Sequence, residues 1–254
     1  MRIAAMLGHW FVTSMCWAAT PAFTQEHHKD HSAADLNRQF QDPNLDVQKF
    51  VQRFETDSRE IFAQRQAIVQ AVDLRPGLAV ADIGAGTGLF TWMFAEKVGP
   101  QGTVYAVEIA PAFLKSIGEQ ARQRGLEKVV KTVRSTQEAT NLAPGSTDVA
   151  FVCATYHHFE HPEKVLASIH QALRPGGRLV VIDFDLRKDS TAFVRERARA
   201  PKEVYLQEIE AAGFTQIKAK PSLNLRENFF AVFQRRRGAV SQDVVQPDIK
   251  RRVR

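Results

Sequence analysis

Leu78-Ala79-Val80-Ala81-Asp82-Ile83-Gly84-Ala85-Gly86-Thr87-Gly88 is an apolar run that ends in an acid and breaks into three alternating glycines, and its reading decides the fold. Glycine has no Cβ, so it accepts positive φ and lets the backbone approach a ligand where a side chain would clash. The next residues, Leu89-Phe90-Thr91-Trp92-Met93-Phe94, continue at helical spacing. The glycines therefore join the carboxyl end of a strand to the start of a helix, which is where open α/β sheets bind their ligands. A second apolar run, Thr103-Val104-Tyr105-Ala106-Val107-Glu108, again ends in an acid. An acid so placed is a partner for a ribose diol.

A dinucleotide fingerprint reads GxGxxG, and here Leu89 stands where its third glycine belongs, which weakens a nicotinamide reading. The GxxxxGK[ST] pattern of a P-loop is absent. The Asp82-x-Gly84-x-Gly86-x-Gly88 arrangement resembles motif I of the class I S-adenosylmethionine-dependent methyltransferases, with Glu108 in the position of the acid that closes their second strand. The resemblance extends over most of the chain, from Ile61 to Gln234. Asp148-Val149-Ala150-Phe151-Val152-Cys153 looks like the fourth strand and Tyr156-His157-His158-Phe159 like the loop after it. Arg174-Pro175-Gly176-Gly177-Arg178-Leu179-Val180-Val181-Ile182-Asp183 is similar to the family's L-x-P-G-G turn and fifth strand.

The fold class implied is α/β. A Rossmann-like class I methyltransferase fold is expected, with a seven-stranded, mostly parallel sheet, a closing antiparallel hairpin (Phe214 to Ala219 and Phe229 to Gln234) and helices on both faces. Helices are expected over Ser58 to Val72, Pro111 to Arg124, Pro162 to Leu173 and Pro201 to Ala212. Val47, Phe50, Val51 and Phe54 recur at three- and four-residue spacing and predict a short amphipathic helix, of the kind that covers a pocket in this family or simply packs on the core.

A chain of 254 residues holds one such domain with extensions. Residues 1–22 read as an export signal: Arg2 precedes a mostly apolar run from Ile3 to Ala19, and Thr20-Pro21-Ala22 offers a cleavage site. The expected location is periplasmic or envelope-associated, with a cytoplasmic one as the alternative. Residues 23–57 form a polar spacer and N-terminal helical cap, 58–234 the methyltransferase domain and 235–254 a basic tail. The histidines in Gln25 to His31 read as part of the spacer, since no pattern fixes a ligand geometry, and no metal is expected. The net charge is +6, and most of it falls in the tail, so the folded body is nearly neutral. No specific nucleic-acid partner is expected, and the tail is read as solvated, with weak contact to an anionic surface as the sharper alternative. Cys16 leaves with the signal, so Cys153 has no partner for a disulfide within the mature chain.

What the resemblance implies about the site follows from methyl transfer itself, an in-line displacement in which positioning supplies much of the catalysis. S-adenosyl-L-methionine is the expected cofactor. Backbone at Gly84, Ala85, Gly86 and Gly88 passes its methionine portion, and Asp82 orients the turn or meets the amino group. Glu108 accepts both ribose hydroxyls, Ile109 packs on adenine, and Gln137 or Glu138 accepts from the adenine amino group. The loop after the fourth strand lacks the Asn- or Asp-Pro-Pro-aromatic signature of DNA adenine and protein glutamine methyltransferases. It is similar to the small-molecule branch of the family, including the quinone-biosynthesis type, so the expected partner is a small-molecule methyl acceptor. His157 or His158 is a candidate general base, and Tyr156 and Arg195 are candidates to contact the acceptor. The alternatives are a protein methyltransferase and an exported, catalytically silent protein that keeps the fold.

Overall fold

The computed structural model describes residues 33–42, 44–219, 223 and 225–236. The expected export segment, the histidine-containing spacer and the basic tail beyond Arg236 lie outside the described residues.

Five strands run parallel: β1 (Ala79–Ile83), β2 (Thr103–Glu108), β3 (Val130–Arg134), β4 (Thr147–Cys153) and β5 (Leu173–Phe184). The short β6 (Phe214–Ile217) pairs antiparallel with β7 (Asn228–Arg235), which runs antiparallel to β5. The order is β3-β2-β1-β4-β5-β7-β6. The chain thus winds outward from β1 in one direction and returns through β4 in the other. The reversal opens a crevice at the carboxyl ends of β1 and β4, where ligands bind in this architecture. Register matters here: Asp82 sits beside Ala106 and Phe151, and Cys153 beside Ile182, so Asp82, Glu108, the loop after β4 and Asp183 all reach the same edge.

The helices, in chain order, are α1 (Ala33–Asn37), α2 (Val47–Phe54), α3 (Glu60–Ala63), α4 (Arg65–Val72), α5 (Leu89–Val98), α6 (Pro111–Gln123), α7 (Pro162–Ala172), α8 (Ala192–Arg195) and α9 (Lys202–Ala211). They cover both faces, and each face has its own apolar core. Ile68, Phe90, Phe94 and Phe151 anchor one, and Leu166, Ile169, Tyr205 and Phe233 the other. The helix expected over Ser58 to Val72 is two pieces, α3 and α4, divided at Gln64, whose ψ of 6° departs from helical values. α1 and the 3-10 turn Arg38–Gln41 were not legible, because apolar residues are sparse there.

The N-terminal segment forms a cap on the crevice. Asp46 caps α2 by accepting from the Gln48 and Lys49 amides, an arrangement that stabilises a helix by about 1 kcal/mol. Phe40 and Phe50 pack with Phe113 of α6, ring centroids 5.4–6.2 Å apart. Glu60 ties α3 to the start of β7, accepting from the Arg226 and Glu227 amides and from Asn228 Nδ2.

Candidate active site

A cavity of about 330 Å³ occupies the crevice beneath the cap. One wall is the glycine turn. Gly84 has φ +73° and no room for a side chain, since a Cβ would fall 2.3 Å from Thr155 Oγ1 and Cγ2. Gly86 differs: at φ +53° its Cβ would meet only the Gly84 carbonyl oxygen at 3.9 Å and Phe54 Cε2 at 4.0 Å, in space open to the cavity. Packing and backbone both require the first glycine, whereas at the second the positive φ alone favours glycine and a side chain would enter the space open to the cavity. Ala85 also lines this wall, whereas Gly88 sits behind it as the N-cap of α5.

Glu108 is buried and bonded to backbone three times: Oε1 accepts from Ile109 N–H at 2.7 Å and Ala110 N–H at 3.0 Å, and Oε2 from Gly86 N–H at 2.9 Å. Burial raises its pKa and these amide donors oppose the rise. A carboxylate offers about four acceptor positions, so one remains, on Oε2. Three positions hold the turn, and Glu108 faces the cavity where the ribose hydroxyls are expected. Asp82 is also buried, and desolvation lifts its pKa to about 7, partly offset by the Thr91 hydroxyl donating at 2.6 Å. Such a carboxyl awaits a cation. Ile109 and Gln137 line the cavity, and the Gln137 Nε2 is buried without an acceptor. Glu138 does not line it. Its side chain turns outward to Lys164 Nζ at 2.5 Å, since an exposed loop carboxylate finds a cation on α7 more readily than an apolar cavity.

The other wall starts at Ala154, whose φ of +49° turns the chain sharply after β4. The 3-10 turn Tyr156–His158 follows. His157 is buried, with Nδ1 2.9 Å from Asp183 Oδ1 and 3.2 Å from Oδ2, and its amide also donates to Oδ2. The Phe184 amide donates to Oδ1 at 2.7 Å. Burial alone would raise the Asp183 pKa, but the facing imidazole and these hydrogen bonds bring it below the usual value. An ionised carboxylate only accepts, so Nδ1 carries the proton and the Nε2 lone pair is left available. His158 has a different partner: its Nδ1 lies 2.9 Å from Asn37 Oδ1, while Asn37 Nδ2 donates to the His158 carbonyl oxygen and to Glu160. Burial and the neighbouring His157 push the His158 pKa down to about 3.

Two expected contacts are corrected. Tyr156 points into the core, not the cavity: it is fully buried, packs on Tyr205 with centroids 5.0 Å apart, and donates its hydroxyl to Glu208 at 2.9 Å. Arg195 is exposed and donates to the Ser190 carbonyl, because the end of α8 turns that face to solvent. Arg53, Arg59 and Arg197 line the cavity instead. Asp183 had no place in the expected site; a lone acid closing the apolar run Leu179 to Ile182 was its signal. The residues present fit a sulfonium nucleoside amino acid. There is a buried carboxyl for an ammonium group, a backbone cradle open at Gly86, a carboxylate oxygen for a hydroxyl and an unpaired amide for a base.

Sheet order, crevice and cradle together define a class I methyltransferase fold. Comparison with known proteins agrees with that fold. Residues 81–181 match the family model described as a methyltransferase domain. The chain is 33% identical over 116 residues to the ubiquinone/menaquinone biosynthesis C-methyltransferase UbiE of Ectopseudomonas mendocina, covering 46% of this chain and 45% of that protein. It is 32% identical over 111 residues to the enzyme of the same name from Idiomarina loihiensis, covering 44% of each. The chain thus spans less than half the length of these relatives. Its fold is similar to that of a SAM-dependent methyltransferase from Aquifex aeolicus, with a TM-score of 0.61 and 22% identity over 74% of this chain and 97% of that one.

Proposed function

We propose that the chain transfers a methyl group from S-adenosylmethionine to an acidic carbon of a small molecule, with His157 as general base and Asp183 as its positioning residue. The observation that carries this reading is the His157–Asp183 pair in the wall of the same cavity as the glycine turn. A carboxylate behind Nδ1 holds the tautomer and favours the imidazolium that forms when Nε2 takes the acceptor's proton, an effect worth about 10²–10⁴ in rate. His158, bonded to a neutral amide and low in basicity, packs 4.1 Å from the His157 ring and holds it in place.

When bound, the cofactor supplies an electrophilic methyl on a sulfonium sulfur and leaves as the neutral thioether. Asp82 holds its ammonium group, the Gly86 cradle its methionine chain, Glu108 a ribose hydroxyl, and Ile109 with Gln137 its base. The cap residues Leu36, Phe40 and Phe54 exclude water from the cavity, and the enclosure they create favours a small acceptor over a protein side chain. Carbon is favoured as the acceptor atom because the curated relatives are named as C-methyltransferases.

Calorimetric titration of the full chain with S-adenosylhomocysteine, beside Glu108→Ala, tests the cofactor half. Micromolar binding is expected, weakened about 10- to 100-fold in the variant, as for loss of a hydrogen bond to a charged group. No binding to a well-folded wild type would remove the enzymatic reading and favour a silent binding protein.

A further inference from the structure

Three guanidinium groups line the cavity, and of these only Arg197 meets a carboxylate, the exposed Glu196, among the described residues. Arg59 lies between two aromatic faces, 5.7 Å from the Phe54 centroid and 5.3 Å from that of Phe193. Among the described residues nothing accepts a hydrogen bond from its side chain. Arg197 stacks on Phe193 at 4.0 Å, and its Nη1 donates to the Phe193 carbonyl at 3.0 Å and lies 3.4 Å from the exposed Glu196 carboxylate. Arg53 sits 5.9 Å over Phe54 and donates to Gln39 Oε1. Stacking occupies a guanidinium's face and leaves its edge donors for a ligand. Away from the cavity two arginines do meet carboxylates closely, Arg199 with Glu208 at 2.6 Å and Arg174 with Asp148 at 2.6 Å, whereas Arg65 and Arg124 stack on rings.

The three charges are near enough to feel one another. Arg59 loses basicity to burial first and then to Arg53, with Arg197 adding to the effect and Cys153 and Glu227 opposing it; Arg53 loses it to burial and then to Arg197. Gathering like charges on one wall is unfavourable unless an anion completes the set. One cofactor carboxylate leaves it incomplete, because that carboxylate arrives with a sulfonium and with an ammonium that Asp82 answers.

The arginines also continue a row of rings that leads to the base. Phe193, which carries Arg59 and Arg197, packs edge-on to Phe184 with centroids 5.7 Å apart, and Phe184 packs 4.9 Å from His157. We infer that the methyl acceptor is a planar aromatic or enolic carboxylate, its ring along Phe184 and Phe193, its carboxylate held by Arg59 and Arg197, and its reacting carbon at His157. This deepens the methyltransferase reading and rests on it. An arginine edge matches a carboxylate bidentately, so a neutral analogue of the same shape loses most of the binding.

The test uses the full chain saturated with S-adenosylhomocysteine and two probes of nearly equal shape, benzoate and benzamide, titrated at low salt with ring chemical shifts as the readout. Benzoate is expected to bind about tenfold more tightly than benzamide, equivalent to about 1.4 kcal/mol. The preference should fall to within about twofold in Arg197→Gln and in Arg59→Gln, each checked for an unchanged Tm. Equal binding of the two probes, no benzoate binding at millimolar concentration, or a preference that survives both substitutions overturns the inference. Failure of S-adenosylhomocysteine to bind while the apoprotein keeps an arginine-dependent preference for benzoate would count against the methyltransferase reading and leave the anion site standing.

Discussion

The two walls of the cavity are built by different means. On the β1–β2 side the backbone makes the site: the Gly86 cradle and a carboxylate, Glu108, whose bonds go mostly to amides. On the other side side chains make it: the His157–Asp183 pair, His158 held by Asn37, and three arginines on aromatic faces. The first wall comes from one contiguous stretch and falls within the matched residues 81–181. The second is assembled from the cap, the β4 turn, the end of β5 and the region around α8, and most of it falls outside that match. A cofactor common to a family can be held by a conserved-length turn, whereas an acceptor must be recognised by groups that vary from chain to chain.

The largest effect separates the walls by chemistry. His157→Ala is expected to lower single-turnover methylation of an acceptor found by screening about 10²- to 10⁴-fold, with S-adenosylhomocysteine affinity unchanged by calorimetry. Asp183→Asn should also lower the rate, since an amide can donate to Nδ1 and so hold the ring in the wrong tautomer. If His158→Ala costs as much as His157→Ala, the assignment of the base is wrong.

A smaller effect separates two glycines within the first wall. Gly84→Ala forces a methyl into Thr155 at positive φ, and overpacking together with a left-handed alanine costs about 3 kcal/mol. Gly86→Ala meets no close neighbour and should cost about 1 kcal/mol of stability while weakening S-adenosylhomocysteine binding at least as much as Glu108→Ala does. Urea unfolding beside calorimetry checks both. Equal destabilisation by the two substitutions would show that the cradle at Gly86 is made for the fold and not for a ligand.

The same contrast explains what could be read from the sequence. The alternating strands and helices, the glycine turn and the strand-end acids Asp82 and Glu108 were legible because period, glycine spacing and strand-end acids are local signals. Arg195, Arg197 and Arg199 look alike in the sequence yet go to solvent, to the cavity and to Glu208 respectively, according to where the one-turn α8 ends. Tyr156 stands next to two cavity-lining histidines, but the 3-10 turn sends it into the core against Tyr205. Asn37 meets His158 across 121 residues, a pairing that no local pattern encodes. Glu138 and Gln137 are neighbours on one loop, and only the latter faces the ligand space.

The finest test concerns Asp82, a side chain of the first wall whose charge burial suppresses, as it does that of Glu108. Its folded pKa of about 7 lies above the ordinary value of 3.8 because burial penalises the anion. The acid form is therefore favoured by folding, and the group's cost to stability appears as pH rises from the ordinary value through the folded one. A cofactor ammonium reverses that preference, since it favours the anion, so binding pulls the pKa down and releases a proton. Below pH 7 the apoprotein must first lose that proton, and affinity falls as pH falls. Between pH 5.5 and 7, where an α-amino group stays charged, S-adenosylhomocysteine affinity should rise about tenfold. In Asp82→Asn the rise should flatten, with a higher Tm at pH 8 because no buried charge remains. A pH dependence that survives in Asp82→Asn would move the ammonium site away from Asp82 and leave Gly86 and Glu108 as the whole of the cofactor wall.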